Sequence, residues 1–357
     1  MSLVLRMAHG SLLFFGFFLL LQFLLDCFFF LKKKDFPLIH IIPILFWLFM
    51  TRLTTKLIRK AKGVSRLLPP LLRANRDINR AQLELRWIKN ELPKEEWIMA
   101  INRRARLVPL QYILKSQPFG GLSIACREGV LVPRWETEEW CTRLAELLEK
   151  NNTRTLKIVD ACTGTGCIPL LLNHQIKYFA DKFEVIGFDV SIEALELAKE
   201  NLKTYISNHD MSSTQTKISF QSANVFDPNL CKNFSEIGDI DIVTANPPYI
   251  PTEDYLKSTQ RNGVERSVRL YEPRLALVGD VEFYTHLINN VVLPLSAKGF
   301  VFELGYVHQA CAVRQALDSN LWGVGTTNDS ATKLRCVVGW RKGESLTFLE
   351  SLCDTIL

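Results

Sequence analysis

Residues 158–172 constrain the fold more than any other part of this 357-residue chain. They read Ile158-Val159-Asp160-Ala161-Cys162-Thr163-Gly164-Thr165-Gly166-Cys167, followed by the helix-like Ile168-Pro169-Leu170-Leu171-Leu172. An apolar run that ends in a carboxylate and two glycines is a buried strand turning into a helix, where the missing Cβ atoms let a ligand approach the backbone. Phe183-Glu184-Val185-Ile186-Gly187-Phe188-Asp189 is a second strand ending in a carboxylate, roughly 20 residues beyond the glycines, the separation expected of an acceptor for ribose hydroxyls. Ser191 then stands as N-cap to a segment with helical apolar spacing through Lys199. Taken alone, a glycine loop is weak and a strand-end Asp is more often a turn residue. Together they predict an open, Rossmann-like α/β sheet with its ligand beyond the carboxyl ends of the strands.

A third strand end adds chemistry. The run 240–245, apolar except for Asp241 and Thr244, leads into Asn246-Pro247-Pro248-Tyr249. Asn-Pro-Pro is also ordinary turn composition, but here it follows a buried strand in a ligand-binding sheet. A planar NH₂ group is a poor nucleophile because its lone pair is delocalised, so a catalyst must align it and accept its protons. Asn246 offers a side-chain carbonyl, and Pro247 offers a backbone carbonyl with no N–H of its own. Two prolines stiffen the turn, which lowers the cost of near-attack geometry, and Tyr249 can stack on the planar group and exclude water. NAD and S-adenosyl-L-methionine both need an acidic ribose acceptor. Gly164 and Gly166 lack a third glycine placed for dinucleotide pyrophosphate, and hydride transfer has no use for Asn-Pro-Pro-Tyr, so the pattern favours S-adenosyl-L-methionine.

With these residues in place, the chain resembles the protein-(glutamine-N5) methyltransferases that modify peptide chain release factors, and is most similar to their mitochondrial branch. The resemblance covers most of the chain from about residue 79 to residue 340, through Pro109-Leu110-Gln111-Tyr112-Ile113, Phe119-Gly120-Gly121, Pro133-Arg134-Trp135-Glu136-Thr137-Glu138, Tyr271-Glu272-Pro273-Arg274-Leu275-Ala276-Leu277 and Phe302-Glu303-Leu304-Gly305. It implies a class I S-adenosylmethionine-dependent methyltransferase sheet with a small N-terminal helical domain. It also implies methyl transfer to the amide nitrogen of the glutamine in a Gly-Gly-Gln loop of a mitochondrial release factor. Asn246 and Pro247 become the acceptors, Tyr249 the stacking wall, and Pro248 part of the grip on the substrate. Asp160, Thr163, Gly164, Gly166, Asp189, Asn224 and Asn246 become the cofactor set. Asn224 stands where many relatives carry an acidic residue beside the adenine, and is expected to accept from the adenine amino group without the charge. Trp135 replaces the family's second proline, which predicts a less rigid turn. Around Gly279 to Tyr284 the family's glycine-rich stretch is shortened, and no role is carried over there.

The reaction asks for alignment and for neutral acceptors aimed at a nitrogen becoming positive; it needs no metal and no covalent nucleophile. Nine cysteines without a Cys-x-x-Cys pair suggest neither a disulfide framework nor a zinc site. Cys162 and Cys167 read as small buried residues, and His174 as a packing residue. The formal charge of +6 is partly supplied by the N-terminal region and says little about nucleic acid. The rival function is adenine-N6 methylation of DNA or RNA, since adenine presents the same planar NH₂, but such an enzyme would be expected to carry a sizeable basic or aromatic recognition module. A membrane-anchored binding protein retaining the fold is a third reading, opposed by the intact Gly164, Gly166, Asp189 and Asn246. A monomer without stable nucleic-acid binding is expected.

Five segments follow: an apolar extension at 1–49, a mitochondrial transit peptide at 50–75, a helical substrate-recognition domain at 76–115, the catalytic domain at 116–345, and a tail at 346–357. Residues 11–31 are almost continuously Leu and Phe and long enough to span a bilayer, which reads as a membrane anchor. From Met50 the chain is basic and hydroxyl-rich with no acid before Asp77, the composition of a leader to the mitochondrial matrix. Translation starting at Met50 would reconcile the two, with membrane contact arising only if residues 1–49 are made. In the helical domain the spacing places Leu83, Trp87 and Ile88 on one face, Pro93 ends the first helix, and Arg103, Arg104 and Arg106 read as a charged face. Residues 251–272, with Lys257, Arg261, Arg266 and Arg269, read as a long polar loop beside the site, a lid or docking segment. Residues 298–304 and 333–341 read as the strands of a closing antiparallel hairpin.

Overall fold

Near-continuous apolar runs decide the sheet, because in its central strands both faces are covered. The computed structural model describes residues 53–209, 215–234, 239–257, 259 and 263–357. The strands are β1 (Ser116–Phe119), β2 (Leu122–Ala125), β3 (Thr155–Ala161), β4 (Lys182–Asp189), β5 (Gln215–Ser222), β6 (Ile242–Ala245), β7 (Gly299–Glu303), β8 (Trp322–Asn328), β9 (Leu334–Arg341) and β10 (Thr355–Ile356). β1 and β2 form a separate hairpin, and the others form one sheet in the order β10-β8-β9-β7-β6-β3-β4-β5. β5, β4, β3, β6 and β7 are parallel, and β9, β8 and β10 are antiparallel additions at one side. This is the open, Rossmann-like α/β sheet that the sequence predicts.

Successive residues serve opposite faces. Ile158, Ile242 and Val301 pack with helices Trp135–Lys150 and Cys167–Ile176. Val159, Val243 and Phe300 pack with the helix Val281–His286, its π-helical continuation Leu287–Val292, and the helix Val307–Gln315. The chain order reverses between β3 and β6, where a ligand crevice opens in such sheets. Register brings the chemistry together there. Ala161 pairs with Phe188 and Ala245, and Ala245 pairs with Phe302. The residues one step beyond, Cys162, Asp189, Asn246 and Glu303, therefore lie side by side at the carboxyl ends of their strands.

Several expectations need correction. The hairpin partner of β9 is β8, whereas β7 is a parallel neighbour of β6 that also borders β9. Residues 251–272 contain two short helices, Thr252–Leu256 and Arg266–Tyr271, rather than a plain loop, and Arg261 lies outside the described residues. Beyond residue 345, Leu346, Leu349 and Leu352 are buried and β10 pairs with β8, so these residues are part of the fold. The helix Leu68–Asn75, inside the stretch read as a leader, buries Leu68, Leu71 and Leu72 and packs on helices Ile78–Glu91 and Trp97–Ala105. In Ile78–Glu91 the buried face is Ala81, Glu84, Leu85 and Ile88, while Leu83 and Trp87 are exposed. Arg104 is no surface charge: it forks onto Glu84 at 2.8–3.0 Å, and Asn75 donates to the same carboxylate at 2.6 Å. The helix Thr55–Val64 is basic, with no acid in its first turn. Residues 1–52, including the apolar run 11–31 and Met50, lie outside the described residues; among the described residues no helix is long and apolar enough to cross a membrane.

Candidate active site

The turn after β3 is built on two left-handed glycines. Gly164 has φ +55° and Gly166 φ +76°, the latter starting the helix Cys167–Ile176. Asp189 closes over this turn: its Oδ2 accepts from the Gly164 N–H at 2.9 Å and its Oδ1 from the Ser191 N–H at 2.9 Å. Burial raises the Asp189 carboxyl above the ordinary range, opposed by the backbone N–H groups of Ser191, Gly164 and Val190. Ser191 caps its helix as expected, accepting from the Ala194 N–H at 3.2 Å.

Gly164, Asp189, Asn224, Asn246 and Pro248 line one cavity of about 220 Å³, together with the less foreseeable Leu131, Phe226, Leu275, Ala276 and Phe283. Asn224 is fixed in a turn, its Oδ1 accepting from the Phe226 N–H at 3.0 Å. Asp160, Thr163 and Gly166 do not line this cavity but lie under the turn. Asp160 is fully buried, and its Oδ1 accepts from the Thr244 hydroxyl at 2.6 Å. Burial pushes its carboxyl up to about 7, against the neighbouring hydroxyls of Thr163 and Thr244 and with the help of Asp189. Asn201, which sequence reasoning passed over, donates to the Thr165 carbonyl at 3.0 Å and accepts from the Ala125 N–H at 2.8 Å, tying the turn to β2. Cys167 is buried, and Cys162 lines the cavity with φ +57°; burial raises both thiols. His174 stands edge-on to Tyr205 and His209, a packing role.

At the other end of the cavity the two ends of Asn246-Pro247-Pro248-Tyr249 are held. Asn246 Nδ2 donates to Thr137 Oγ1 at 3.1 Å, and the Tyr249 hydroxyl donates to Glu303 Oε1 at 3.3 Å. Gln309, fully buried, donates to the Tyr249 carbonyl at 2.9 Å. Ile250 donates to the Leu277 carbonyl at 3.0 Å and Gly279 to the Ile250 carbonyl at 3.1 Å, so 277–279 braces the turn from outside. Among the described residues no group donates to Asn246 Oδ1 or to the Pro247 carbonyl. Two neutral acceptors are thus left, on Asn246, which lines the cavity, and on Pro247, which stands between the lining residues Asn246 and Pro248; Pro247 and Tyr249 do not themselves line it.

Glu303 is the largest omission from sequence reasoning. It ends β7 fully buried, and accepts from the Thr137 hydroxyl at 2.6 Å and the Trp140 indole at 3.0 Å. Its carboxyl is raised by burial, against Thr137 and Trp140. A lone acid closing an apolar strand, as in Asp160 and Asp189, was the available signal. Trp135 takes the first position of its helix and is half exposed, yet the preceding turn is not loose: Arg134 donates to both oxygens of the buried Glu272 at 2.6 and 2.7 Å.

No family model matches the chain. Among curated proteins it is 39% identical over 308 residues to the mitochondrial MRF1 N(5)-glutamine methyltransferase MTQ1 of Saccharomyces cerevisiae, covering 82% of this chain and 90% of that one. It is 36% identical over 305 residues to the probable MRF1 mitochondrial N(5)-glutamine methyltransferase mtq1 of Schizosaccharomyces pombe, covering 78% of this chain and 93% of that one. A release factor glutamine methyltransferase of Bacillus anthracis is 32% identical over 211 residues, 57% of this chain and 66% of that one.

Proposed function

This chain belongs to the release factor N(5)-glutamine methyltransferase family, and we propose that it carries a methyl group from S-adenosyl-L-methionine to the side-chain amide nitrogen of the glutamine in the Gly-Gly-Gln loop of a mitochondrial peptide chain release factor. The observation that carries this reading is the pair of unbonded acceptors, Asn246 Oδ1 and the Pro247 carbonyl, beside a cavity whose far end is a glycine turn and a carboxylate. That cavity fits the cofactor. Gly164 leaves backbone open to it, Asp189 keeps a lone pair on each oxygen for ribose hydroxyls, and Asn224 keeps one for the adenine amino group beside the apolar Phe226, Leu275 and Phe283. Asp160, Thr163 and Gly166 shape the turn from beneath.

When bound, the cofactor supplies a sulfonium methyl, an electrophile needing no further activation. Asn246 and Pro247 each take one N–H of the substrate amide, which turns the nitrogen lone pair toward the methyl and stabilises the positive charge growing on nitrogen. Pro248 and Tyr249 wall the planar group and keep water out. As the N–CH₃ bond forms and the S–CH₃ bond breaks to leave a neutral thioether, one amide proton, held by Asn246 or Pro247 but not kept by such weakly basic carbonyl oxygens, passes on to solvent. The enzyme acts as a monomer in the mitochondrial matrix, without stable nucleic-acid binding. The basic helix Thr55–Val64 supports a leader, and the burial of Leu68, Leu71 and Leu72 favours a leader that ends before Leu68.

Label from S-adenosyl-L-methionine should reach a recombinant mitochondrial release factor, should not reach its Gly-Gly-Gln→Gly-Gly-Ala variant, and should not reach nucleic acid. Label on nucleic acid alone would move the protein to the adenine class. Asn246→Ala should abolish transfer with cofactor affinity nearly intact, whereas Asp189→Ala should weaken cofactor binding first; equal loss of cofactor in both would contradict these roles.

A further inference from the structure

The Asn246 carboxamide can occupy its site in two ways related by a half-turn, and only one presents oxygen to an incoming NH₂ group. Its surroundings remove the choice. The Trp140 indole N–H can only donate, and it lies 3.0 Å from Glu303 Oε2, so that oxygen is an acceptor. The Trp140 indole, the Tyr249 hydroxyl and the charge of Arg335 favour the ionised form of Glu303 despite its burial. Thr137 Oγ1 lies 2.6 Å from Oε2, so the hydroxyl donates to the carboxylate and Oγ1 keeps only lone pairs. The Asn246 atom 3.1 Å from Oγ1 is then the NH₂ nitrogen, and Oδ1 is free for another donor. Turned over, the carboxamide would set its oxygen against those lone pairs.

We infer that Thr137 and Glu303 are positioning residues for methyl transfer, a relay in which a buried carboxylate orients a hydroxyl and the hydroxyl orients the Asn246 acceptor. Neither touches the cavity: Thr137 is 1% and Glu303 0% exposed, and neither lines it. The backbone sets up the relay, because Ala245 pairs with Phe302 and so Asn246 emerges beside Glu303, while Thr137 enters from the first turn of the helix Trp135–Lys150. Glu303 also takes the Tyr249 hydroxyl at 3.3 Å on its other oxygen. One carboxylate therefore sets both the acceptor and the wall of the substrate site.

The inference rests on the reaction proposed above, and its test separates the two. Thr137→Val removes the hydroxyl at nearly constant volume, and Thr137→Ser restores it. Expected for Thr137→Val is a fall in kcat on the order of 10- to 100-fold, the scale of a misplaced reacting group, with cofactor Kd unchanged; Thr137→Ser should regain most of the rate. Nuclear magnetic resonance supplies a readout independent of activity. The Asn246 side-chain amide, assigned by its loss in Asn246→Ala, should exchange its hydrogens slowly in the wild type and Thr137→Ser and faster in Thr137→Val. A Thr137→Val enzyme with wild-type kcat, or a wild-type Asn246 amide that exchanges like an exposed one, would overturn the relay. A wild type that transfers no label to the release factor while its Asn246 amide is protected would overturn the substrate assignment and leave the orientation standing.

Discussion

Gly164 and Gly166 stand two residues apart in the same turn, and adding one methyl to each should have different consequences. Both have positive φ, +55° and +76°, so an alanine at either costs about 1–2 kcal/mol of backbone strain. Beyond that they diverge. A Cβ on Gly164 meets no protein atom within 4 Å, whereas a Cβ on Gly166 would lie 2.8 Å from Phe220 Cζ and 3.2 Å from Ala198 Cβ. Overpacking of that kind adds about 1–3 kcal/mol, so Gly166→Ala should lose about 2–5 kcal/mol in all. Gly164→Ala should lose only the strain, but its methyl enters the lining of the cavity, and cofactor affinity should fall about tenfold or more, roughly 1.4 kcal/mol. Urea unfolding without cofactor gives the first quantity and titration calorimetry with S-adenosyl-L-methionine the second. Equal destabilisation of the two variants, or wild-type affinity in Gly164→Ala, would refute the division of labour between them.

Two further outcomes concern buried charge. The folded Asp160 carboxyl titrates at about 7, while an unfolded one titrates at about 3.9. Between these values the unfolded state has released its proton and the folded state has not, so stability falls as pH rises through this window and levels off above it, a change on the order of a few kcal/mol. Asp160→Asn should flatten that slope in urea titrations at pH 5 to 8; an unchanged slope would assign it to another group. Arg104→Ala leaves Glu84 buried without its partner, with the pair's side chains only 13% and 11% exposed. A loss of about 3–5 kcal/mol is expected, with cofactor affinity unchanged; a loss under 1 kcal/mol would mean that water reaches Glu84.

How much of this was legible depended on whether polarity and burial agreed. Asp160, Asp189 and Asn246 stood out because each interrupts an apolar strand run at its carboxyl end, and hydrogen bonding makes such interruptions tolerable. The face of the helix Ile78–Glu91 was misread because its core position 84 is a glutamate. Periodicity counts it as surface, and it is a core residue because Arg104, twenty residues away, and Asn75 bond its carboxylate. Leu83 and Trp87, which spacing puts on one face with Ile88, are exposed while Ile88 is buried. β8 escaped because Gly323, Gly325 and two threonines dilute its apolar signal; Gly323 is needed where the Trp340 ring crosses the strand. Thr137 and Glu303 lie 166 positions apart, and no local pattern pairs them.

β10 is only two residues long, but it governs what the outer edge of the sheet offers to other molecules. Thr355 and Ile356 cover Thr326 and Gly325, the Asp354 N–H bonds the Thr326 carbonyl at 2.8 Å, and the Leu357 N–H bonds the Val324 carbonyl at 2.9 Å. Without them β8 would present an open ladder to any passing strand. Deletion of residues 354–357 would spare every group at the far side of the sheet where the reaction occurs. Its phenotype would be one of abundance: normal turnover per molecule, in a cell where most of the molecules have aggregated.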